Sequence, residues 1–289
     1  MNLGLVACHF NPVGYRRPVE NYWRFLEGLG EHAEHLTTIE LIFDGDVQVL
    51  PHAIPVYGAR PLHLLWQKEA LLNIAISKLD RKYDAVAWID GDVLFSEPSW
   101  YEQASQLLEL HPLIQLFRQA IFLNENDKPI RRFQSAAHVH QHGSRNIYGH
   151  PGLAWAARRE ILEPDGLLDV HIVGGGDALM KDCWTGIWEC QTLKDSPESL
   201  RRHTLRWGAN QWRKVQGNLG TLNVQVRHLF HGARRNRRYA SRTRCLNRLH
   251  FDPVTDITKD ENGLLAWTGT KPALAGHIRN WFLSRREDG

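Results

Sequence analysis

The sequence predicts an α/β protein built on a mostly parallel sheet flanked by helices, and three observations carry that prediction. Over the first hundred residues short apolar runs alternate with stretches of helical period, the pattern of strand–helix–strand units with right-handed crossovers. The run Asp84 to Ile89 is apolar from Ala85 onward, as a strand covered on both faces must be. A chain of 289 residues with 43% hydrophobic content can bury a large core, which argues against disorder.

Taken in order, Leu3 to Cys8 reads as a buried opening strand that runs into the turn His9-Phe10-Asn11-Pro12. Val19, Tyr22, Trp23, Phe25, Leu26 and Leu29 recur at helical spacing until Gly30 stops them. Thr38 to Phe43 and Ala53 to Tyr57 read as strands two and three, with Asp44-Gly45-Asp46 as a turn-like cluster between them. Leu62 to Leu79 predicts one long amphipathic helix, and Asp84 to Ile89 is the strand that delivers Asp90-Gly91-Asp92 at its end. Beyond Ser96 the pattern loosens. It predicts a helix near Glu97 to Leu110, strands near Leu113 to Phe117 and Ala120 to Leu123, and a polar, His-rich loop from Asn124 to Gly149. A strand at Leu153 to Ala157 precedes the glycine run Gly174-Gly175-Gly176. Helices at Asp177 to Trp184 and Pro197 to Val215, a strand at Leu222 to Phe230 and a closing helix at Pro272 to Phe282 complete the reading.

Composition bounds the function. With 35 basic and 32 acidic residues the net charge of +3 is too small to name a partner, so the distribution of charge has to do so. Cys8, Cys183, Cys190 and Cys245 form no C-x-x-C pair and no dense framework, which points to a reducing, cytoplasmic setting. No apolar stretch reaches the roughly 18 residues that a membrane span needs, and the first residues lack a basic-then-apolar leader. Eleven tryptophans, several beside charged or small residues, offer flat rings of the kind that suit sugars, although Trp is also an ordinary core residue.

The chemistry centres on Asp90 and Asp92. They flank a glycine at the end of a buried strand, where ligands of such sheets bind, and hard cations that share phosphate oxygens seek carboxylates of this kind. A simple Asp-Gly turn is the competing reading, and Asp44-Gly45-Asp46 shows how easily the triplet arises. Asp90 differs from Asp44 in having an apolar strand before it and Val93-Leu94-Phe95 after it. Gly174-Gly175-Gly176-Asp177 reads either as a loop with Asp177 as a helix N-cap or as a segment presenting a carboxylate, and no Lys-Ser or Lys-Thr follows to make it a phosphate-binding loop. His228-Leu229-Phe230-His231-Gly232 offers imidazoles, of which one is expected to serve, His228 slightly preferred, because two residues that far apart on a strand do not share a face. The run from Gly232 to Arg244 is the densest positive stretch; Arg234, Arg238 and Tyr239 could close over a diphosphate, or the run could grip a nucleic-acid backbone. His138, His140 and His142 alternate as zinc ligands on a strand would, but no nearby Cys supports a site and none is placed there.

The stretch Lys68-Glu69-Ala70-Leu71-Leu72-Asn73 followed by Trp88-Ile89-Asp90-Gly91-Asp92-Val93-Leu94-Phe95 resembles the donor-binding half of glycosyltransferases of the GT-A, Rossmann-like fold. Gly152 to Arg159 resembles their acceptor-side strand, and the glycine run ending in Asp177 resembles the acidic segment of inverting members. The resemblance implies a sugar transferred from a nucleotide sugar, UDP-linked in the first instance, to a hydroxyl acceptor with inversion. It implies Mn²⁺ or Mg²⁺ at Asp90, Asp92 and His228 or His231, with Asp90 facing the ribose or the metal, and Asp177 as the base. It also implies Asn11 with Glu40 or Asp44 near the nucleobase, and Lys68 and Asn73 near the nucleotide. Residues 1–232 would form the catalytic domain, 1–96 the donor half and 97–232 the acceptor half, with 233–289 a basic extension packed on it.

No Gln-x-x-Arg-Trp motif is present, which argues against processive polysaccharide synthesis. The segment from His231 through Arg242, with the ending Trp281 to Asp288, is similar to phage and bacterial glycosyltransferases, which makes a 5-hydroxymethylated pyrimidine in phage DNA the specific expectation for the acceptor. A saccharide acceptor, a nucleotidyltransferase on the same sheet, and a non-catalytic nucleic-acid-binding protein are the alternatives.

Overall fold

In the computed structural model, residues 1–143 and 148–289 are described, the side chains of Tyr239 and Ala240 excepted. The apolar runs form a seven-stranded sheet. Its first four strands in the chain are β1 (Leu3–Phe10), β2 (Leu36–Phe43), β3 (Ile54–Gly58) and β4 (Ala85–Ile89). The spatial order is Leu219–Thr221, Leu113–Gln115, Ala154–Arg158, β4, β1, β2, β3. All neighbours are parallel except Ala154–Arg158, which runs antiparallel to both of its partners. The mixed, mostly parallel sheet flanked by helices that the sequence predicts is therefore present.

Both faces of this sheet are covered, which explains the unbroken apolar character of β4, buried at all five positions. Val6, Val86, Trp88 and Trp155 face one core, into which the helix Lys68–Lys78 packs. Leu5, Ala7, Ala87 and Ile89 face the other, closed by Tyr22, Phe25 and Leu29 of the helix Arg16–Leu29 and by Trp100, Ala104 and Leu108. Residues after 232 share the first core: Leu265, Trp267, Leu274, Ile278 and Trp281 belong to the same cluster as Val6 and Trp88.

A second sheet lies over the carboxyl end of β4, in the order Val93–Phe95, Gln225–His228, Gln119–Leu123, Pro129–Ser135, Gly149–His150. Gln225–His228 pairs antiparallel with Val93–Phe95, so that Val93 stands opposite His228. This pairing brings a late segment of the chain onto the Asp-Gly-Asp triplet.

The structure corrects several expectations. The long helix at 62–79 is two, Arg60–His63 and Lys68–Lys78. Between them Gln67 turns inward, its carboxamide donating to the carbonyls of His63 and Leu265 and accepting from the Leu265 N–H, while the Trp66 N–H goes to Ile172. These bonds give the backbone groups at the break partners outside a continuous helix. The second helix is not amphipathic, being buried on nearly every side. The expected loop at 124–149 holds the strand Pro129–Ser135, whose first four residues are exposed and hence polar or charged in part, and the helix Ala136–Gln141, capped by the Ser135 hydroxyl. The strand at 222–230 is replaced by Leu219–Thr221 and Gln225–His228, which belong to different sheets. No helix is long and apolar enough to cross a membrane among the described residues.

Candidate active site

The β4 strand ends at Ile89, and the Asp90 N–H bonds to Leu153 O at 2.8 Å, which fixes the triplet against the antiparallel strand beside it. Gly91 sits close under Tyr22: a Cβ there would lie 3.0 Å from the Tyr22 ring, which would have to give by a few tenths of an ångström. The Leu229 N–H bonds to Asp92 O at 2.8 Å, so the chain leaving His228 turns at Asp92.

That turn brings both histidines, of which the sequence led only one to be expected there, to the same carboxylate. The strand stops at His228, so the two-face rule for strands does not extend to His231, and both rings reach Asp92. His228 Nε2 lies 3.6 Å and His231 Nδ1 3.5 Å from Asp92 Oδ2. Among the described residues, Asp92, His228 and His231 are the group whose donor atoms, all within 4.8 Å of one another, could hold a metal ion. Asp90 is not in it; its Oδ1 is 2.5 Å from Lys68 Nζ.

The electrostatics fit a cation. Burial pushes His228 down to about 4, and burial together with Arg237 carries His231 well below its ordinary value, so both imidazoles are neutral and have a lone pair to give. Burial raises Asp92 to about 6, with Lys68 and Arg237 pulling the other way. Asp92 Oδ1 is buried with no hydrogen-bond partner, a cost that a bound cation would remove. Arg237 Nη2 donates to His231 Nδ1 at 2.5 Å, and so engages the lone pair that faces Asp92.

These groups open into a cavity of about 760 Å³ that also contains Lys68, Glu69 and Asp177. Asp177 stands in the first turn of the helix Gly176–Trp184, with its Oδ1 on the N–H of Ala178; the cap position belongs to Gly175, left-handed at φ +95°. Gly152 is the space that Asp177 Oδ2 occupies, since a Cβ there would collide with it. Glu69 is buried, takes the indole N–H of Trp66 at 3.0 Å and is raised by burial to about 7. For Lys68 burial acts to lower the pKa, but Asp90, Asp177 and Glu69 outweigh it and the net shift is upward. His150, pushed down to about 4 chiefly by burial, also lines the cavity.

The arginine run divides. Arg237 is buried, 3.1 Å from Glu287, which also meets Arg285 at 2.5 Å; Arg234 lines the cavity with its guanidinium 5.8 Å from the Phe133 ring centre; Arg235 and Arg238 face outward. Arg238 is thus not at the cavity, and the side chain of Tyr239 lies outside the described residues.

Three residues expected near the nucleotide have other duties. Glu40 is 2% exposed and accepts the N–H groups of Val49 and Leu50, fixing the loop after β2. Asp44 is an exposed turn residue whose N–H bonds to Gly58 O. Asn73 is turned to the Leu167 backbone and Asp169 on the far side of its helix. Asn11 does line the cavity, although its amide is tied to the Tyr15 backbone in the turn. His138, His140 and His142 lie on and just after a short helix, with His140 Nε2 3.1 Å from Gly217 O.

Sequence reasoning missed Glu69, His150, Arg237 as the inward member of its run, Arg285 and Glu287. Of these only Glu69 had a local signal, as the neighbour of Lys68; the last three converge from segments about 50 residues apart.

No protein-family model and no curated protein matches this sequence. Among solved structures, glucosyl-3-phosphoglycerate synthase from Mycobacterium tuberculosis in complex with UDP is similar at 13% identity and a TM-score of 0.42, over 92% of this chain and 87% of that one. The catalytic domain of Drosophila beta1,4galactosyltransferase 7 in complex with xylobiose is similar at 10% identity and 0.39, over 76% of this chain and 64% of that one. The 4-diphosphocytidyl-2C-methyl-D-erythritol synthase of Anaerococcus prevotii is similar at 8% and 0.35, over 77% and 89%. Residue roles in this chain rest on its own geometry.

Proposed function

We propose that this chain is a metal-dependent glycosyltransferase that moves a sugar from a nucleoside-diphosphate sugar, UDP-linked in the first instance, to a hydroxyl acceptor with inversion at the anomeric carbon. The observation that supports it most is the convergence of Asp92, His228 and His231 beyond a buried parallel strand, in one cavity with Asp177, Lys68 and Arg237. Asp92, His228 and His231 would hold a divalent cation, which supplies charge neutralisation for a departing diphosphate.

The remaining chemistry belongs to side chains. Arg237, and Arg234 at the wall, are suited to bidentate pairing with phosphate oxygens, and Arg237 must turn away from His231 Nδ1 for that nitrogen to ligate. Asp177 accepts the proton of the acceptor hydroxyl as that oxygen attacks the anomeric carbon; the bond to the diphosphate oxygen breaks, and the nucleoside diphosphate leaves. Mixing the protein with a panel of UDP- and GDP-sugars and Mn²⁺, and watching for donor hydrolysis or transfer, tests this. No turnover or binding with any donor, or wild-type behaviour of Asp92→Ala, defeats it. Release of pyrophosphate from a nucleoside triphosphate would assign the chain to nucleotidyl transfer instead.

The narrower reading of the acceptor is a 5-hydroxymethylated pyrimidine in DNA. Its support is the outward-facing Arg235 and Arg238 of the basic run, whose neighbour in sequence Arg234 lines the cavity and shares the Phe133 ring with Arg131. A base in a duplex would have to be extruded to reach Asp177. Salt-sensitive DNA binding that is lost when Arg235 and Arg238 are neutralised is the expected result; salt-independent or absent binding leaves saccharides as the acceptor class.

A further inference from the structure

The two carboxylates of Asp90-Gly91-Asp92 are committed differently. A hard cation would ordinarily draw on both, since they are two residues apart and share a buried site. Asp90 Oδ1 is instead 2.5 Å from Lys68 Nζ, whereas Asp92 Oδ1 has no partner and Asp92 Oδ2 faces the two imidazoles. Lys68 is the first residue of a helix buried on nearly every side, so its backbone is anchored, and the groups that act on its ammonium are all acidic: Asp90, Asp177 and Glu69.

Resting on the metal-dependent reading above, we propose that Lys68 is a positioning residue that holds Asp90 away from the cation, so that the triplet supplies one carboxylate and two imidazoles complete the set. Two consequences follow from charge and ligand type. One carboxylate with two neutral imidazoles is a mixed nitrogen and oxygen set, which suits Mn²⁺ better than Mg²⁺, whose preference is for oxygen and retained water. A divalent ion on one carboxylate also keeps a net positive charge with which to attract a diphosphate; a second carboxylate would cancel it. Lys68 therefore weakens the hold on the metal and strengthens the hold on the anionic donor.

A lysine present only to neutralise a buried aspartate would affect folding and leave metal choice alone. A lysine that touched only the donor would likewise leave metal choice alone. Titration calorimetry of the full chain with Mn²⁺ alone and Mg²⁺ alone separates these cases. Asp92→Asn is expected to abolish Mn²⁺ binding and Asp90→Asn to leave its affinity close to wild type. Lys68→Gln is expected to tighten Mg²⁺ by about tenfold, within the range over which neighbours tune a metal site, and to lower the Mn²⁺ to Mg²⁺ preference. The Lys68→Gln, Asp90→Asn double variant should restore that preference. Loss of Mn²⁺ affinity in Asp90→Asn equal to that in Asp92→Asn, or an unchanged preference in Lys68→Gln, overturns the proposal while the metal site stands. A wild-type chain that binds neither ion removes the metal site and the role of Lys68 together. Should Lys68→Gln fail to fold, the Asp90→Asn measurement decides alone.

Discussion

The chain carries Asp-Gly-Asp twice, at the carboxyl ends of two strands that flank β1 in the same parallel sheet. At the end of β2, Asp44 and Asp46 are exposed, Gly45 is left-handed at φ +81° in open space, and Asp46 meets Arg60 at 2.7 Å on the surface. At the end of β4, Gly91 is pressed against Tyr22, Asp90 is bound to Lys68, and Asp92 is walled in by two histidines. The local sequence is the same and the surroundings are not. β2 lies next to the sheet edge, with only β3 beyond it; β4 sits at the centre, where Ala154–Arg158 and the second sheet bring in later parts of the chain. Place in the sheet order decides whether a carboxylate is desolvated and given partners.

The comparison can be broken in graded ways. Asp92→Ala should lower Mn²⁺-dependent transfer by on the order of a thousandfold, since the ion's stabilisation is worth several kcal/mol, whereas Asp44→Ala should leave the rate unchanged; initial rates with a UDP-sugar compare the two. Asp177→Asn should lower kcat by about a hundredfold or more while calorimetric UDP and Mn²⁺ affinities change far less, because it removes the proton acceptor and keeps the side chain's shape. Gly91→Ala should cost about 1–3 kcal/mol in denaturant unfolding, because the Tyr22 ring must move, and should weaken Mn²⁺. Gly45→Ala should cost about 1 kcal/mol from left-handed strain, with no effect on Mn²⁺. Asp46→Ala should cost under about 1 kcal/mol, the worth of an exposed ion pair. Equal effects at the two glycines on metal binding would show that position in the sheet is not what separates the triplets.

What could be read in the sequence follows the same division. β1 to β4 and the triplet after β4 were legible because period and apolar content act over neighbouring residues, and Asp90, Asp92, Asp177 and His228, picked out in the sequence, line one cavity. Glu40 was misread since a carboxylate at a strand end looks alike whether it faces a ligand or, as here, the N–H groups of Val49 and Leu50. Asn73 failed similarly: helical spacing gave its element but not the face, which is turned to Asp169. Arg237 could not be told from Arg234, Arg235 and Arg238 because its burial depends on Glu287, fifty residues later. The gap at Gln67 was hidden because the bond that breaks the helix is to Leu265.

Of the eleven tryptophans, five stand in two different settings. Trp184 meets the rings of Trp88, Trp155 and Trp207 at 5.3–6.1 Å in the core, close enough that excitation absorbed by one can be shared with the others. Trp66 stands instead in the cavity wall, its indole N–H on Glu69 and its ring 5.9 Å from that of Trp281. Emission from the core group should follow unfolding, while a change in Trp66 emission on adding UDP or Mn²⁺ would report a ligand in the cavity that this ring lines. Fold and site would then be reported by different rings of the same chain.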